Sequence, residues 1–218
     1  MRVYCEHWNV SLIQKCHALA IEYPTYGLYK SKSKLMEEST FEKDAMAVYW
    51  ECTKLMNLRP QQVIVMGRSL GTGIASLFAQ KLSAHNSEPG ALFLMSPFLS
   101  PATLAREKTY CIFHFITNYM LGNFLNTEER FAQMAIPSLI VHGKRDEVIP
   151  VSHSIQLASL RKDGGVEFCQ WAHMTHNNFR AEEDIALPFR SFLQKHGLIG
   201  NTNLAPIDAQ RFIEQYHR

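Results

Sequence analysis

Short apolar runs alternate along the chain with longer stretches in which apolar positions recur every three or four residues. That alternation is the pattern of strands joined by crossover helices into a parallel sheet. Residues 18–23 predict the first strand, ended by a turn at Pro24, Thr25, Tyr26 and Gly27. With Ser39 or Thr40 as N-cap, Phe41, Ala45, Val48, Cys52 and Leu55 fall on one face of a helix, and Glu42 and Asp44 sit in its first turn, where the helix dipole favours anions. Residues 63–66 are apolar throughout and predict a central strand, followed by a helix over 70–82 that opens with small residues. A strand at 91–95 leads into a loop punctuated by Pro97 and Pro101, and then into an aromatic segment at 110–124 that is a candidate cap over a pocket. Two more strands are expected at 138–142 and 166–171, with a helix at about 152–160 between them and a last helix at about 181–195. The domain is expected to span 1–196, with a tail over 197–218 that adds a short helix near 207–216.

Composition narrows the function classes. The 218 residues are 46% hydrophobic and 19% charged, enough apolar surface for one real core. Lys and Arg total 22 against 20 Asp and Glu, a formal charge of +2 with the basic residues scattered, so no nucleic-acid partner is expected. The five cysteines, Cys5, Cys16, Cys52, Cys111 and Cys169, are odd in number and form no CxxC pair. They argue against a zinc site and against a disulfide framework, and for a reducing compartment. Glu6, His7 and Asn9 interrupt the place where a signal peptide needs an apolar run. The longest uncharged stretch, 109–127, contains His114, Asn118, Asn123 and Asn126, and so reads as a buried or pocket-lining helix rather than a membrane span. The expected location is cytoplasmic or peripheral at membranes.

The chemistry is concentrated in three places. Gly67-Arg68-Ser69-Leu70-Gly71 lies between an apolar strand and a helix, the setting in which G-x-S-x-G forms a nucleophile elbow. Such a turn strains the serine backbone, needs glycine two residues to either side, and exposes the hydroxyl at a helix N-terminus, where the Leu70 amide can donate to an oxyanion. Gly73, one turn on, is expected to allow close helix–sheet packing. A serine alcohol needs a histidine base and a carboxylate that fixes the base's tautomer. Asp146 follows the strand at 138–142, with Glu147 as its competitor, and His176 follows the last strand, with His173 as its rival. The order Ser, Asp, His is the one this architecture uses. His142 is expected to hold the Asp146 loop, and His153 to begin the next helix.

Tyr23-Pro24-Thr25-Tyr26-Gly27, the elbow, His142-Gly143 with Asp146-Glu147-Val148-Ile149-Pro150, and His176-Asn177 together resemble the α/β-hydrolase superfamily. Within it the chain is most similar to the α/β-hydrolase-domain-containing proteins 17 and their prolyl-oligopeptidase-like relatives, over about residues 10 to 195. The resemblance implies a three-layer α/β/α sandwich with a mostly parallel sheet that lacks its first strands, as in an N-terminally incomplete chain. It assigns Ser69 as nucleophile, Asp146 as orienting acid, His176 as base and Leu70 as one oxyanion donor, with no cofactor and no metal. Because members of the similar group remove palmitate from protein cysteines, an acylated small molecule or acylated protein is the implied substrate, cleaved at an ester or thioester. Serine peptidase chemistry is the alternative within the class. Two departures bear on activity. The family strand and His-Gly-type loop that supply the second oxyanion amide have no counterpart in the roughly sixty residues before Ser69, so the strands at 18–23 and 63–66 should either pair directly or leave a gap. A catalytically silent fold used as a binding module is therefore the reading from a second class. The cysteine-clustered N-terminus of the depalmitoylases is also missing, so no stable membrane anchor is expected.

Overall fold

The computed structural model describes residues 3–6, 18–24, 37–108 and 122–198. The expectations for Thr25, Tyr26 and Gly27, for most of the 110–124 cap and for the tail beyond residue 198 lie outside the described residues.

Four strands, β3 (Ile64–Arg68), β4 (Ala91–Met95), β5 (Ser138–Gly143) and β6 (Val166–Trp171), form a parallel sheet in sequence order. Side chains alternate across it and define two apolar layers. On one face Val65, Leu92, Leu94 and Ile140 pack with Tyr49 of α1 (Glu38–Met56), Ala75, Ala79 and Leu82 of α2 (Leu70–Ala84), Phe131 of α4 (Thr127–Ala132) and Leu157 of α5 (Ser152–Leu160). On the other, Phe93, Met95, Leu139 and Val141 meet Phe189, Phe192 and Leu193 of α6 (Leu187–Lys195). The result is a three-layer α/β/α sandwich. Its parallel strands β4 and β5 are buried on both faces, which is why they read as unbroken apolar runs.

Several expectations need correction. The strand at 18–23 is β2 (Ala18–Ile21), and it pairs antiparallel with an unforeseen β1 (Val3–Glu6) in a separate two-stranded sheet. It does not join the main sheet: Leu19 and Ile21 pack against Val48 and Cys52 of α1 instead. Of the two outcomes expected for β2 and β3, the structure therefore has the unpaired one. That leaves β3 at the edge rather than the centre of its sheet, and Met66, on the α6 side, is 49% exposed. α1 begins one residue before Ser39, capped at Glu37 without a side-chain bond, and Leu55 faces solvent while Phe41, Ala45, Val48 and Cys52 are buried. Pro101 does not extend the loop but opens α3 (Pro101–Lys108), a position where its missing N–H costs nothing. The expected helix at 181–195 begins with a π-helical segment at Ala181–Ala186, whose widened turn leaves the buried Asp184 free to accept from the Arg180 amide and side chain. Gly73 faces Leu125 and the Phe98 ring rather than the sheet, at 2.9 Å from the position its own Cβ would take.

Candidate active site

The chain leaves β3 through Arg68 and enters α2 at Leu70, so the direction change falls on Ser69, with φ 52° and ψ −122°. Few non-glycine residues occupy that region. The Ser69 amide is held by the Met95 carbonyl of β4 at 3.0 Å, and its carbonyl accepts from the Thr72 amide and hydroxyl, so the bend is fixed from both sides. Gly67 is what lets the two arms of the turn close. A Cβ there would lie 2.3 Å from the Gly71 carbonyl oxygen and 2.8 Å from the Ala75 Cβ, and backbone cannot yield to it. Gly67→Ala should cost about 1–3 kcal/mol of stability, read from urea unfolding, and should lower hydrolytic activity far more than that loss explains.

At the ends of β5 and β6 two loops carry the remaining groups. Gly143 is the close approach between them, since a Cβ there would stand 2.1 Å from the Met174 carbonyl oxygen. Asp146 turns its carboxylate, fully buried, back into the site. Its Oδ1 accepts from the amides of Val148 at 2.9 Å and Ile149 at 2.8 Å. The His176 Nδ1–H donates to Asp146 Oδ2 at 2.8 Å and Oδ1 at 3.0 Å, and His176 Nε2 faces Ser69 Oγ at 3.1 Å. A carboxylate can only accept here, so the proton sits on Nδ1 and Nε2 keeps a lone pair for the serine hydroxyl. Burial works against the Asp146 charge, but donation from His142, the Ile149 amide and His176 overrides it and holds the carboxyl well below the usual carboxylate range. Asp146 is thus an anion at neutral pH. Ser69 is half-buried and so not sealed from solvent. Leu70 is the first residue of α2, where amides have no intrahelical acceptor.

The rivals are placed elsewhere. The His173 Nε2–H donates at 2.8 Å to Asp184, a buried carboxylate that also receives the Arg180 amide and guanidinium. The Glu147 carboxylate accepts the His176 backbone amide, at 3.3 Å, while the ring nitrogen Nδ1 is bonded to Asp146. His153 is the second residue of α5, as expected, but its ring is buried, with Nδ1 accepting from the Leu99 amide and Nε2 donating to Glu107. Asp146 serves a second histidine. The fully buried His142 ring lies with Nε2 at 3.3 Å from Asp146 Oδ2 and 2.9 Å from the Ile149 carbonyl, while its Nδ1 meets Ser154 Oγ at 2.6 Å. One carboxylate therefore joins two Ser–His arms, of which one ends at the half-buried Ser69 and the other at the sealed Ser154.

Arg68 has a part that its place in the motif did not disclose. Its Nη2 donates to the His176 carbonyl at 2.7 Å and to Asn177 Oδ1 at 2.8 Å, and the guanidinium lies over the Phe179 ring. The residue before Ser69 thus grips the loop that carries His176. Arg68→Ala should lower kcat by about 10- to 100-fold, the typical effect of a small misplacement of a reacting group, with KM nearly unchanged; steady-state kinetics on a chromogenic ester would check it.

Among the described residues no group of three or more His, Cys, Asp or Glu side chains is placed to hold a metal ion, and no helix is long and apolar enough to cross a membrane. Among the described residues neither Cys52 nor Cys169 forms a disulfide.

No protein-family model matches the chain. Among curated proteins, human "Alpha/beta hydrolase domain-containing protein 17B" is 29% identical over 145 residues, which is 65% of this chain and 44% of that protein. Its Xenopus laevis counterpart is 30% identical over the same length. The chain thus spans less than half the length of these relatives. Among solved structures, the propionate-bound esterase Est2 of Thermogutta terrifontis superposes with a TM-score of 0.60 at 21% identity, over 85% of this chain and 74% of that one. The Paleococcus ferrophilus monoacylglycerol lipase gives 0.56 at 14% identity, over 83% and 84%.

Proposed function

We propose that this chain is a serine hydrolase of the α/β-hydrolase superfamily that cleaves an ester or thioester through an acyl-enzyme. Ser69 is the nucleophile, His176 the base, Asp146 the orienting acid and Leu70 an oxyanion donor. The observation that carries the reading is the continuous array from Ser69 Oγ through the His176 ring to Asp146, at 3.1 and 2.8 Å, with the serine on a strained bend at a helix N-terminus.

Ser69 Oγ attacks the acyl carbonyl carbon as its proton passes to His176 Nε2. The resulting imidazolium is stabilised by the Asp146 carboxylate, and negative charge grows on the carbonyl oxygen within reach of the Leu70 amide. Collapse of the tetrahedral adduct breaks the bond to the alcohol or thiol, which leaves with the proton held on His176. Water, deprotonated by the same nitrogen, then attacks the acyl carbon and releases the acid and Ser69. The finer substrate choice is the one that the motif resemblance implies, a long-chain acyl thioester such as a palmitoylated cysteine.

A fluorophosphonate probe tests the reaction class. Stoichiometric labelling, placed on Ser69 by peptide mass spectrometry, is the expected result. A folded protein that takes no label would favour the binding-module reading instead, for which the separation of β2 from the main sheet is the supporting observation. Turnover of amide substrates at rates matching esters would move the assignment to a peptidase.

A further inference from the structure

We propose that His142 and Ser154 form a positioning arm that tunes the carboxylate of the Ser69–His176–Asp146 array, an inference that rests on the hydrolase reading of that array. The hydrogen-bond partners fix the direction of every proton. His142 Nε2 lies between two groups that can only accept, so it carries a hydrogen: it donates to the Ile149 carbonyl at 2.9 Å, and Asp146 Oδ2 lies 3.3 Å from the same nitrogen. Its Nδ1 is then the lone-pair nitrogen, and the Ser154 hydroxyl donates to it at 2.6 Å. The acceptors at Nε2 select the tautomer, and the Ser154 hydroxyl, able to donate or accept, follows it and fixes the ring. Both His142 and Ser154 are completely buried, so neither can touch a substrate, and their role is exerted through Asp146.

Asp146 Oδ2 accepts the His176 Nδ1–H and lies 3.3 Å from His142 Nε2, whose N–H dipole is held beside it by the Ile149 carbonyl. Each additional donor spreads the carboxylate charge and weakens its hold on the other. With His142 in place, His176 is oriented without being bound so tightly that it becomes a poor proton shuttle. The charged and titratable groups around the pair do not duplicate this role. Glu147 accepts the His176 backbone amide, and Lys108 donates to the Glu147 carbonyl. Arg68 occupies the His176 carbonyl, and the neighbouring His153 ring is committed to Leu99 and Glu107.

Three variants of the full chain test the arm: His142→Leu, which removes the donor; His142→Gln, whose amide can place an N–H near Nε2; and Ser154→Ala, which removes the hydroxyl that fixes the His142 ring. The first readout needs no turnover: the proton resonance of the His176 ring N–H bonded to Asp146, followed by NMR. In His142→Leu it should move downfield because Asp146 becomes a stronger acceptor. Ser154→Ala should shift it less in the same direction, and His142→Gln should restore it. The second readout is kcat/KM for a chromogenic ester. It should fall about five- to tenfold at neutral pH in His142→Leu, the usual worth of one hydrogen bond, with the acid limb of the profile displaced to higher pH and largely rescued by Gln. A resonance and acid limb unmoved in His142→Leu, or equal effects of Leu and Gln, would overturn the proposal. Should His142→Leu not fold, an unmoved resonance in Ser154→Ala overturns it and a downfield shift supports it. Absence of turnover in the unmodified protein would count against the hydrolase reading, while the proton resonance still decides the arm.

Discussion

Ser69→Ala and Ser69→Gly should each abolish fluorophosphonate labelling and lower ester turnover by at least about 10⁴-fold, the usual consequence of deleting a triad nucleophile, yet they should differ in stability. The difference follows from the backbone. At φ 52° and ψ −122°, Ser69 stands where a side chain crowds its own main chain. The conformation persists because the Met95 carbonyl, the Thr72 amide and the Thr72 hydroxyl hold the turn from outside. Strain of this kind costs about 1–3 kcal/mol. Alanine keeps the Cβ and therefore the strain, so Ser69→Ala should unfold at nearly the wild-type urea midpoint. Glycine removes it, offset in part by the greater freedom of the unfolded chain, so Ser69→Gly should be more stable than Ser69→Ala by about 1 kcal/mol. Equal midpoints would mean that the bend stores no strain. Residual turnover above a hundredth of wild type in either variant would mean that another hydroxyl is the nucleophile.

What the sequence disclosed of this arrangement, and what it withheld, separates by the range of the interactions. The elbow is a local event: two glycines around a serine, an apolar strand before and small residues after it, all within ten positions. Asp146 and His176 were legible because each follows a strand pattern, an apolar run for the first and a mixed apolar–polar segment for the second, and a parallel sheet carries the C-terminal ends of its strands to one edge. Arg68 could not be assigned a partner, because its acceptors lie 108 and 109 residues away on a loop whose path only packing decides. Ser154 is one serine among many in a helix, and only the meeting of α5 with the end of β5 gives it a role. The placement of β2 was the least legible. Its alternation fits a half-buried strand in either sheet, and what decides is that Leu19 and Ile21 find cover on α1 while β1 supplies the hydrogen bonds. The same choice explains Met66: an apolar run predicts burial on both faces, but an edge strand leaves one side of that run exposed.

Asp146→Asn carries the second large effect, and it acts through a proton rather than a contact. In the wild type the carboxylate accepts the His176 Nδ1–H, leaving Nε2 free to take the serine proton. An asparagine amide can turn its NH₂ toward Nδ1, which stabilises the opposite tautomer with hydrogen on Nε2. His176 then faces Ser69 with a donor where an acceptor is needed, and turnover near neutral pH should fall by about 10⁴-fold while the loop geometry is kept. The Val148 and Ile149 amides can still bond the remaining carbonyl oxygen, so a circular dichroism spectrum like the wild type's is expected. Stability should separate the two proteins in acid. The Asp146 carboxyl titrates below its unfolded-state value in the folded protein. The stability it contributes is therefore fully present above the unfolded value of about 3.9 and is lost as pH falls toward the depressed one. The asparagine variant has no such proton to bind, so its unfolding free energy should fall less steeply than the wild type's below about pH 4. Parallel acid-unfolding curves for the two would show that the Asp146 carboxylate is not held ionised by the donors around it, and with that the account of how His176 is oriented would fail.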